Sequence, residues 1–483
     1  MKRYLFAYCP LPVRSMLCIT NYLLPITCCL IFIISSCKKD SFITAPNARL
    51  SITADSLKYD TVFTTTGSIT KSFKIINENN QKLRLSKVKL GGGTASAFKI
   101  NINGNNVTEE NNIELDANDS IYVFVSVSIN PSAANLPFII SDSILISYNG
   151  NNRLVQLQAY GQNANFLSNK VITGNVTWSN TLPYVILKSI RIDTTASLTI
   201  QAGTKIYNHA DAPFIVDGTL IINGTKNNEV VFAGDRLDND YKDLPAGWPG
   251  IYFRNNSKNN VLRFAIIKNA YQALVVTAPS VNANPKLIMQ QCIVDNAYDA
   301  GILCANTSLL INNSLISNCG SNVALVYGGD YNFTNCTVAA YSNLYINHKN
   351  PLLTVNNFAA QGGSTITANL NAVFRNCIFW ADSSGFVNNE ITVSKRGSNS
   401  FAVLFQNNLY RGSDPTNSTL TNNLKNQNPL FDSIDVAKRM YNFRISNNNA
   451  PGVNKGAATT FTKDIDDKNR NNGLPDLGCY EKQ

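Results

Sequence analysis

Short runs in which apolar and polar residues alternate, separated by turn residues, make up the chain from residue 47 to about 162. The clearest run is Ser120–Val127, read SIYVFVSV. A period of two residues predicts a β-strand with one buried and one wet face. Asn149-Gly150 separates two further runs, 143–148 and 154–160, and is a hairpin turn signal. We therefore predict a two-sheet β-sandwich over residues 47–162.

A different pattern, an internal repeat, covers residues 165–483. Segments such as Ile288–Asn296 and Leu310–Asn318 align, and the alignment contains a column of small residues: Ala265, Cys292, Ser314, Cys336, Cys377 and Asn408. Two of the intervals in this column are 22 residues, and the others are longer through insertions. Such a period is typical of a parallel β-helix, in which each repeat is one coil of the chain and equivalent side chains stack. The sequence thus predicts an all-β protein, and the column should point into the narrow coil.

Asparagine precedes four members of this column, at Asn313, Asn335, Asn376 and Asn407. Asparagine tolerates left-handed backbone and bonds to neighbouring main chain, so it favours the bends between sheets. If the alternation continued through the strand, these side chains would instead face outward as a ladder.

Composition narrows the classes of function. Only 15% of the residues are charged, and the 483-residue chain carries a formal net charge of +10. The basic residues after Lys38-Lys39 are scattered, whereas nucleic-acid binding requires them on one face. We predict no nucleic-acid partner, while weak attraction to an acidic polysaccharide or a membrane surface stays open.

The first residues have the order of an export signal. Basic Lys2, Arg3 and Arg14 precede an apolar stretch at 17–34, which Ser35-Ser36-Cys37 follows. The end of this stretch resembles a bacterial lipobox, which implies cleavage after residue 36 and lipidation of Cys37. We expect a signal peptide at 1–36, a tether at 37–46, and a protein anchored to the outer membrane at either its surface or its periplasmic face. An uncleaved membrane anchor is the alternative.

Two further resemblances concern families. The strand order of the 47–162 segment resembles immunoglobulin-like domains of bacterial surface proteins. The segments Leu198–Tyr207, Phe214–Gly224 and Gly247–Phe253, with the closing motif Leu474–Glu481 (LPDLGCYE), resemble Bacteroidetes-type surface lipoproteins. The closing motif of that family usually ends Pro-Asp-Ile-Gly-Ala-Tyr-Glu. The resemblance implies a right-handed, pectin lyase-like parallel β-helix, and it implies no particular activity, because the family has no uniform one.

Six cysteines follow Cys37, an even number that normally suggests disulfides in an exported protein. Cys292 and Cys336 are predicted to lie two coils apart, about 9.6 Å, which exceeds the Cα separation of about 7 Å that a disulfide spans. We expect buried thiols that act as small apolar side chains. The distance argument does not exclude a disulfide between Cys304 and Cys319 as clearly.

Two acidic segments are weak calcium candidates, since calcium prefers several oxygen ligands on a flexible loop. One contains Asp235, Asp238, Asp240 and Asp243, and the other contains Asp464, Asp466 and Asp467. Neither fits the EF-hand pattern, so a solvated turn or a capping segment is the alternative.

The longest departures from the repeat, 235–248 and 341–372, are the predicted ligand-contact loops, because loops carry function more often than scaffold. Their candidate residues are Asp235, Asp238, Asp240, Tyr241, Tyr345, His348 and Lys349. At a separation of four or five coils the loops would flank a groove if they project from the same side. The acids are mostly in loops, and His209 and His348 are the two histidines. The sequence therefore favours a non-catalytic envelope lipoprotein that binds glycans or surface proteins, and the alternative is a carbohydrate-active lyase or hydrolase.

Overall fold

The computed structural model describes residues 41–64, 67–130, 138–383, 385–470 and 473–482. The predicted signal peptide, Cys37 and residues 37–40 of the tether lie outside this part. Its chain contacts divide it into two compact units. The first contains residues up to 57, together with 69–126 and 141–157, and the second contains 58–68, 127–140 and the chain from 158 onwards.

The N-terminal strands alternate buried and exposed residues, as the sequence pattern predicts. Strand Ser120–Val127 buries every second side chain, and Asn149 and Gly150 both adopt positive φ between two long strands. The strands are β1 (Phe42–Ile43), β2 (Leu50–Ile52), β3 (Ser56–Phe63), β4 (Lys71–Asn77), β5 (Lys82–Leu90), β6 (Phe98–Ile102), β7 (Asn105–Asn106), β8 (Glu109–Leu115), β9 (Ser120–Val127), β10 (Phe138–Tyr148) and β11 (Asn151–Gln162), with a 3-10 turn at Gly93–Ala95.

These strands form two sheets. One has the order β2-β4-β9-β6-β7, and the other has the order β1-β5-β10-β11-β3, with β8 also paired to β5. Neighbours such as β4 and β9 are antiparallel, whereas β1 and β5 are parallel. Each sheet buries one face, since Val123 and Val125 in the first and Leu83 and Leu85 in the second have no exposed surface.

The remaining chain forms two long parallel sheets. Its strands, in chain order, are β12 (Asn165–Leu167), β13 (Lys170–Ile172), β14 (Asn175–Trp178), β15 (Tyr184–Ile186), β16 (Ile190–Ile192), β17 (Ser197–Gln201), β18 (Lys205–Asn208), β19 (Phe214–Val216), β20 (Thr219–Asn223), β21 (Val230–Gly234), β22 (Ile251–Phe253), β23 (Asn260–Arg263), β24 (Ala265–Lys268), β25 (Gln272–Thr277), β26 (Leu287–Gln290), β27 (Ile293–Asp295), β28 (Ala300–Asn312), β29 (Leu315–Ser317), β30 (Ser321–Thr334), β31 (Thr337–Ala340), β32 (Leu353–Asn356), β33 (Phe358–Gln361), β34 (Ser364–Thr367), β35 (Leu370–Arg375), β36 (Ile378–Ala381), β37 (Ile391–Ser394), β38 (Phe401–Gln406), β39 (Leu409–Tyr410), β40 (Thr419–Thr421), β41 (Leu424–Lys425), β42 (Phe431–Asp435) and β43 (Met440–Ile445).

The smaller parallel sheet takes one strand from each coil and has the order β12-β15-β18-β21-β24-β27-β29-β31-β36-β39-β41. The larger, 17-stranded sheet takes the other strands of the coils, so that each strand pairs with its equivalent one coil later. The pairs β33–β34 and β42–β43 are separate antiparallel hairpins. The described residues contain no α-helix, and none of their elements has the length and hydropathy of a bilayer-spanning helix. This topology of stacked coils is consistent with a parallel β-helix.

The strand register of the smaller sheet agrees with the predicted column of small residues. The residues that follow it along the smaller sheet pair in turn: Ile266 with Ile293, Ile293 with Leu315, Leu315 with Thr337, Thr337 with Ile378, and Ile378 with Leu409. Members of the column, from Ala265 to Cys377, lie in the core together with aromatic residues such as Trp248. All six described cysteines are buried and free, Cys304 and Cys319 included.

The asparagines before the column adopt left-handed backbone, with φ of 46° at Asn313, 52° at Asn335, 55° at Asn376 and 54° at Asn407. Their prediction as bend residues is confirmed. Three of their side chains bond to the last part of the chain. Asn376 Nδ2 donates to Ala457 O over 2.8 Å, Asn407 Nδ2 donates to Lys455 O over 2.9 Å, and Arg470 Nε donates to Asn313 Oδ1 over 3.1 Å.

The closing segment, residues 450–481, thus lies along the outer side of the smaller sheet. Leu477 packs against Ile378 and Leu409, while Cys479 packs in a cluster with Leu315. Cys479 N also donates to Thr337 Oγ1 over 3.0 Å. The resembled closing motif therefore covers an apolar strip that the coils alone leave uncovered.

The segment 341–372, predicted to be one continuous departure from the repeat, is interrupted by a strand of the coil. Strand β32 within it pairs with β30 and β37 as part of the larger parallel sheet. It contains two insertions: the loop 341–352 before β32, and the antiparallel hairpin β33–β34 after it, with its turn at Gly362-Gly363. The apolar alternation of the hairpin resembles that of a coil strand, so the sequence did not separate them.

Candidate functional site

The two predicted ligand-contact loops leave the same edge of the smaller parallel sheet. The first follows β21 and the second follows β31, and three strands of that sheet, β24, β27 and β29, lie between them. Four coils at the strand spacing correspond to roughly 19 Å. The loops are therefore on one side of the second unit, at the separation that a groove would require.

A cleft of about 190 Å³ lies between these loops. Asp243 comes from the first loop and Asn343 from the second, so both loops contribute to its wall. The lining residues are Asp243, Lys268, Asn269, Asp295, Asn296, Asn318, Asn343, Lys438, Arg439 and Tyr441. Carboxylates, amides, cations and one aromatic ring thus converge here. Asp243, a weak calcium candidate from the sequence, lines the cleft, whereas the seven predicted ligand-contact residues do not.

The floor of the cleft is a second column of asparagines, at the ends of successive strands. Asn269, Asn296 and Asn318 all have positive φ, between 52° and 62°. Asn296 Nδ2 donates to Asn269 Oδ1 over 2.8 Å and to Asp243 O over 3.1 Å. These bonds fix the first loop to the strand ends. A repeated Asn after each strand was the signal in the sequence that could have located this floor.

Asp295 is the acidic group of the floor. It accepts hydrogen bonds from Ser317 Oγ at 2.6 Å and from Asn318 Nδ2 at 3.3 Å. Burial raises the pKa of Asp295 above its usual value, because the charged carboxylate loses solvation. Lys268 Nζ stands 3.9 Å from Asp243 Oδ1, a loose ion pair that leaves the ammonium beside the cleft.

The hairpin β42–β43 forms the remaining wall and connects the two loops. Arg439, at its turn, donates from Nη1 to Asp243 O over 3.0 Å. The same guanidinium stands 5.2 Å from the ring centroid of Tyr345 in the second loop. Arg439 therefore holds both loops in place across the cleft.

The candidate side chains of the first loop are engaged mainly with two neighbouring basic residues, His209 and Arg236. Asp235 Oδ2 lies 2.7 Å from His209 Nδ1, and Asp238 pairs with Arg236 over 2.9 Å. The Arg236 guanidinium also stacks 3.8 Å from the ring centroid of Tyr241. Asp240 is exposed. These contacts give the loop a defined shape, and Tyr241 and Asp240 remain the members open to solvent.

His348 lies inside the protein, so its prediction as a surface ligand contact does not match its position. Its Nε2 is 2.9 Å from Glu390 Oε2, and both side chains are buried. Sequence reasoning missed this pair because the partners are 42 residues apart and meet only through the coil register. Lys349 Nζ stands 5.6 Å from the Phe386 ring, and Tyr345 is 42% exposed.

A second cleft, of about 320 Å³, continues along the same edge. Its lining includes Tyr341, Trp380, Asp382 and Arg411. Tyr341 also stacks on Tyr441, which lines the first cleft, with ring centroids 6.3 Å apart. The two clefts therefore adjoin, and together they form a row of polar and aromatic groups along one edge, which we call the edge groove.

The acids proposed as weak calcium ligands at the closing segment are engaged with other groups. Asp466 pairs with Lys226 at 2.8 Å and with Arg444 at 2.7 Å. Asp464 accepts the backbone N–H groups of Asp466, Lys468 and Glu481. Within the described ranges no group of three or more His, Cys, Asp or Glu side chains is arranged to hold a metal ion.

Comparison with known proteins adds little to this geometry. No protein-family model and no curated protein matches the chain. Among solved structures, a family 123 glycoside hydrolase from Clostridium perfringens, studied for glycolipid glycan hydrolysis, has 9% sequence identity and a TM-score of 0.19. The match covers 28% of this chain and 30% of that one. A likeness this slight carries no argument about fold or activity.

Proposed function

We propose that this protein is a cell-envelope lipoprotein that binds glycans, without catalysis, in the edge groove of a right-handed parallel β-helix. Its membrane partner would be the outer membrane, reached through a lipid on Cys37. A protein of the cell surface is the second kind of ligand that such a groove could hold.

The in-register parallel sheets support a β-helix. The right-handed sense is supported by the strong preference of parallel strand connections for right-handed crossovers. For the first unit we infer an immunoglobulin-like sandwich, which its two mainly antiparallel sheets support. In this proposal the sandwich separates the β-helix from the membrane.

One observation supports the glycan proposal: amide, carboxylate, ammonium and aromatic groups line a row along six successive strands of the smaller sheet, from β24 to β39. Sugars present hydroxyl groups to amides and carboxylates, and they present apolar C–H faces to aromatic rings. Trp380 and Tyr341 supply rings, Asn296 and Asn318 supply amides, and Lys268 supplies a cation for acidic sugars. A row of this kind suits an extended chain better than a compact metabolite.

A matched pair of lysine variants tests the groove. Lys268 lines the cleft, whereas Lys258 is an exposed lysine elsewhere on the same unit. A glycan array followed by calorimetry should find a ligand whose affinity falls about fivefold or more in Lys268→Ala and stays unchanged in Lys258→Ala, since an ion pair at a partly buried site contributes about 1 kcal/mol. Equal affinities in both variants would contradict binding in the groove.

The anchor is tested by metabolic labelling with a fatty acid. The wild type and Cys29→Ala should incorporate the label, because Cys29 lies within the apolar stretch and not at the cleavage position. Cys37→Ala should remain an unlabelled precursor. Label on the Cys37→Ala protein would refute the lipid anchor.

A polysaccharide lyase or hydrolase is the second candidate, favoured by Tyr341, Asp382 and Arg411 sharing one cleft. Against a lyase, burial raises the pKa of Tyr341 well above its usual range, which makes it a poor base. Arg411 is also engaged, since it donates to Asp382 O and lies 3.5 Å from Glu390. Incubation with uronate polysaccharides and calcium decides between the two: new ultraviolet absorbance from unsaturated products would favour the lyase.

A further inference from the structure

The first unit contains a cavity of about 670 Å³ on the outer face of its five-stranded sheet. Its size falls within the range of about 300–1,000 Å³ that is typical of small-molecule sites. The lining residues are Thr70, Gly93, Thr94, Ser96, Phe98, Lys99, Ile100, Asn101, Asn106, Val107, Thr108, Phe124 and Ser126. No sequence pattern marks this cavity, because strand alternation assigns Lys99, Asn101 and Phe124 to an ordinary solvent-exposed face.

Two large aromatic side chains lie on this solvent-exposed face of the sheet. Tyr122 and Phe124 point outward from β9 between fully buried Val123 and Val125, and they are 43% and 40% exposed. Their rings are nearly parallel, with an interplanar angle of 14° and centroids 5.5 Å apart. Exposed aromatic clusters on a sheet face are unfavourable unless they serve binding.

Neighbouring contacts hold this pair rigid. Lys74, which pairs with Tyr122 across the strands, places its Nζ 4.7 Å from the Tyr122 ring centroid. Phe124, supported by Tyr122, lines the cavity together with the half-exposed Val107. The cavity therefore has an apolar wall that is formed before any ligand binds.

The rest of the lining is polar and carries one sign of charge. Asn101 and Asn106 are joined by a 2.8 Å hydrogen bond at its base, and threonine and serine hydroxyls surround them. Lys99 is the one charged residue of the lining within the described chain, and it is exposed. With Lys74 near the aromatic wall, the site carries two cations beside a ring, amides and hydroxyls.

We infer that this cavity binds an acidic oligosaccharide, such as a uronate-containing glycan. The apolar face of a sugar ring stacks on Phe124, its hydroxyls bond to the asparagine and threonine groups, and its carboxylate is attracted to Lys99. An aromatic wall alone would suit many apolar ligands. Hydroxyl and amide groups around it select a sugar, and Lys99, with Lys74 near the aromatic wall, selects an acidic one. This inference does not depend on the edge groove, since it concerns different residues in a different unit.

Titration calorimetry of the full chain with an oligogalacturonate tests the inference. Phe124→Ala should weaken binding at least about fivefold, because a stacking contact contributes about 1 kcal/mol, and Phe124→Tyr should restore it. Lys99→Ala should weaken binding similarly. The matched controls are Leu154→Ala, an exposed apolar residue outside the cavity, and Lys89→Ala, a lysine paired with Glu109; both should bind as the wild type does.

The outcomes separate this site from the edge groove. Binding that is lost in Phe124→Ala but kept in Lys268→Ala supports the cavity, whatever the fate of the groove. Absence of oligogalacturonate binding in the wild type, equal losses in Leu154→Ala and Phe124→Ala, or binding that only Lys268→Ala weakens would overturn it. A neutral cello-oligosaccharide that binds as tightly as oligogalacturonate would overturn the assignment of an acidic ligand. Circular dichroism of each variant establishes that it is folded.

Discussion

Asn376 Nδ2 donates to Asn335 Oδ1 over 2.9 Å, and the two fully buried amides belong to consecutive coils. Asn376 also exchanges two hydrogen bonds with Ala457, since it donates to Ala457 O and accepts from Ala457 N, each over 2.8 Å. One side chain therefore joins a coil to its neighbour and to the closing segment. Its backbone is left-handed, with φ of 55°.

These two roles of Asn376 can be separated by substitution. Asn376→Gly keeps the left-handed backbone but removes the amide, and it should lower the free energy of unfolding by about 1–3 kcal/mol. Asn376→Ala also forces a side chain into the left-handed region, which costs a further 1–2 kcal/mol, roughly. Urea unfolding measures both. Equal stabilities of the two variants would show that the backbone conformation contributes nothing.

Cys292, Cys336 and Cys377 should be reduced and unreactive in the folded protein. All three have no exposed surface, and burial raises the pKa of the Cys292 thiol to about 12. Iodoacetamide should therefore modify them only after denaturation, and mass spectrometry of unreduced peptides should find no bridge among them. A disulfide between Cys292 and Cys336 would be incompatible with the coil register.

The closing segment should become less stable as the pH rises towards neutrality. Burial raises the pKa of Glu481 to about 7 from 4.5, so between these values the folded state binds more protons than the unfolded state. This contribution to stability is complete below pH 4.5 and is lost as the pH rises through 7. Glu481→Gln, which mimics the protonated form at every pH, should lack this pH-dependent loss of stability.

The measurement is the melting temperature of wild type and Glu481→Gln from pH 4.5 to 7.5. The wild type should fall relative to the variant across this interval. A wild-type curve that instead rises relative to Glu481→Gln would mean that the 3.0 Å ion pair with Arg470 outweighs burial.

The hairpin β33–β34 should be removable without loss of the fold. Ala368 N donates to Asn357 O over 2.9 Å, so the ends of the hairpin are already adjacent. Deletion of 358–367 should leave the thermal midpoint within a few degrees, because surface loops tolerate changes in length. Deletion of 341–372 should prevent folding, since it removes the core residues Leu353 and Val355 of β32. Comparable melting curves for the two deletions would disprove this assignment of the insertion.

The coil architecture was predictable because its physical requirement recurs in every repeat. A narrow interior admits only small side chains at one position, which produced the column from Ala265 to Cys377, and each bend admits left-handed residues, which produced the asparagines before it. Both patterns are local and recur in each repeat. They can therefore be recognised in the sequence even where insertions of very different length separate the repeats.

The proposed binding surfaces were not predictable in the same way, because each depends on residues that are distant in sequence. Asp243 and Asn343 line one cleft, although their loops are four coils apart. His348 contacts Glu390 through the pairing of the coils, which no local sequence pattern reveals. Phe124 lies on a strand whose alternation was read correctly. The exposure of its ring depends on what the rest of the sheet leaves uncovered, and alternation says nothing about that.

The closing segment has a consequence for the order of folding. Leu315, Ile378 and Leu409 are covered in part by Leu477 and Cys479, which lie near the C-terminus. At about 5–20 residues per second, synthesis makes this cover last. Until then the growing chain exposes part of this apolar strip along completed coils. A protein truncated after about residue 449 should therefore aggregate, although every coil is present.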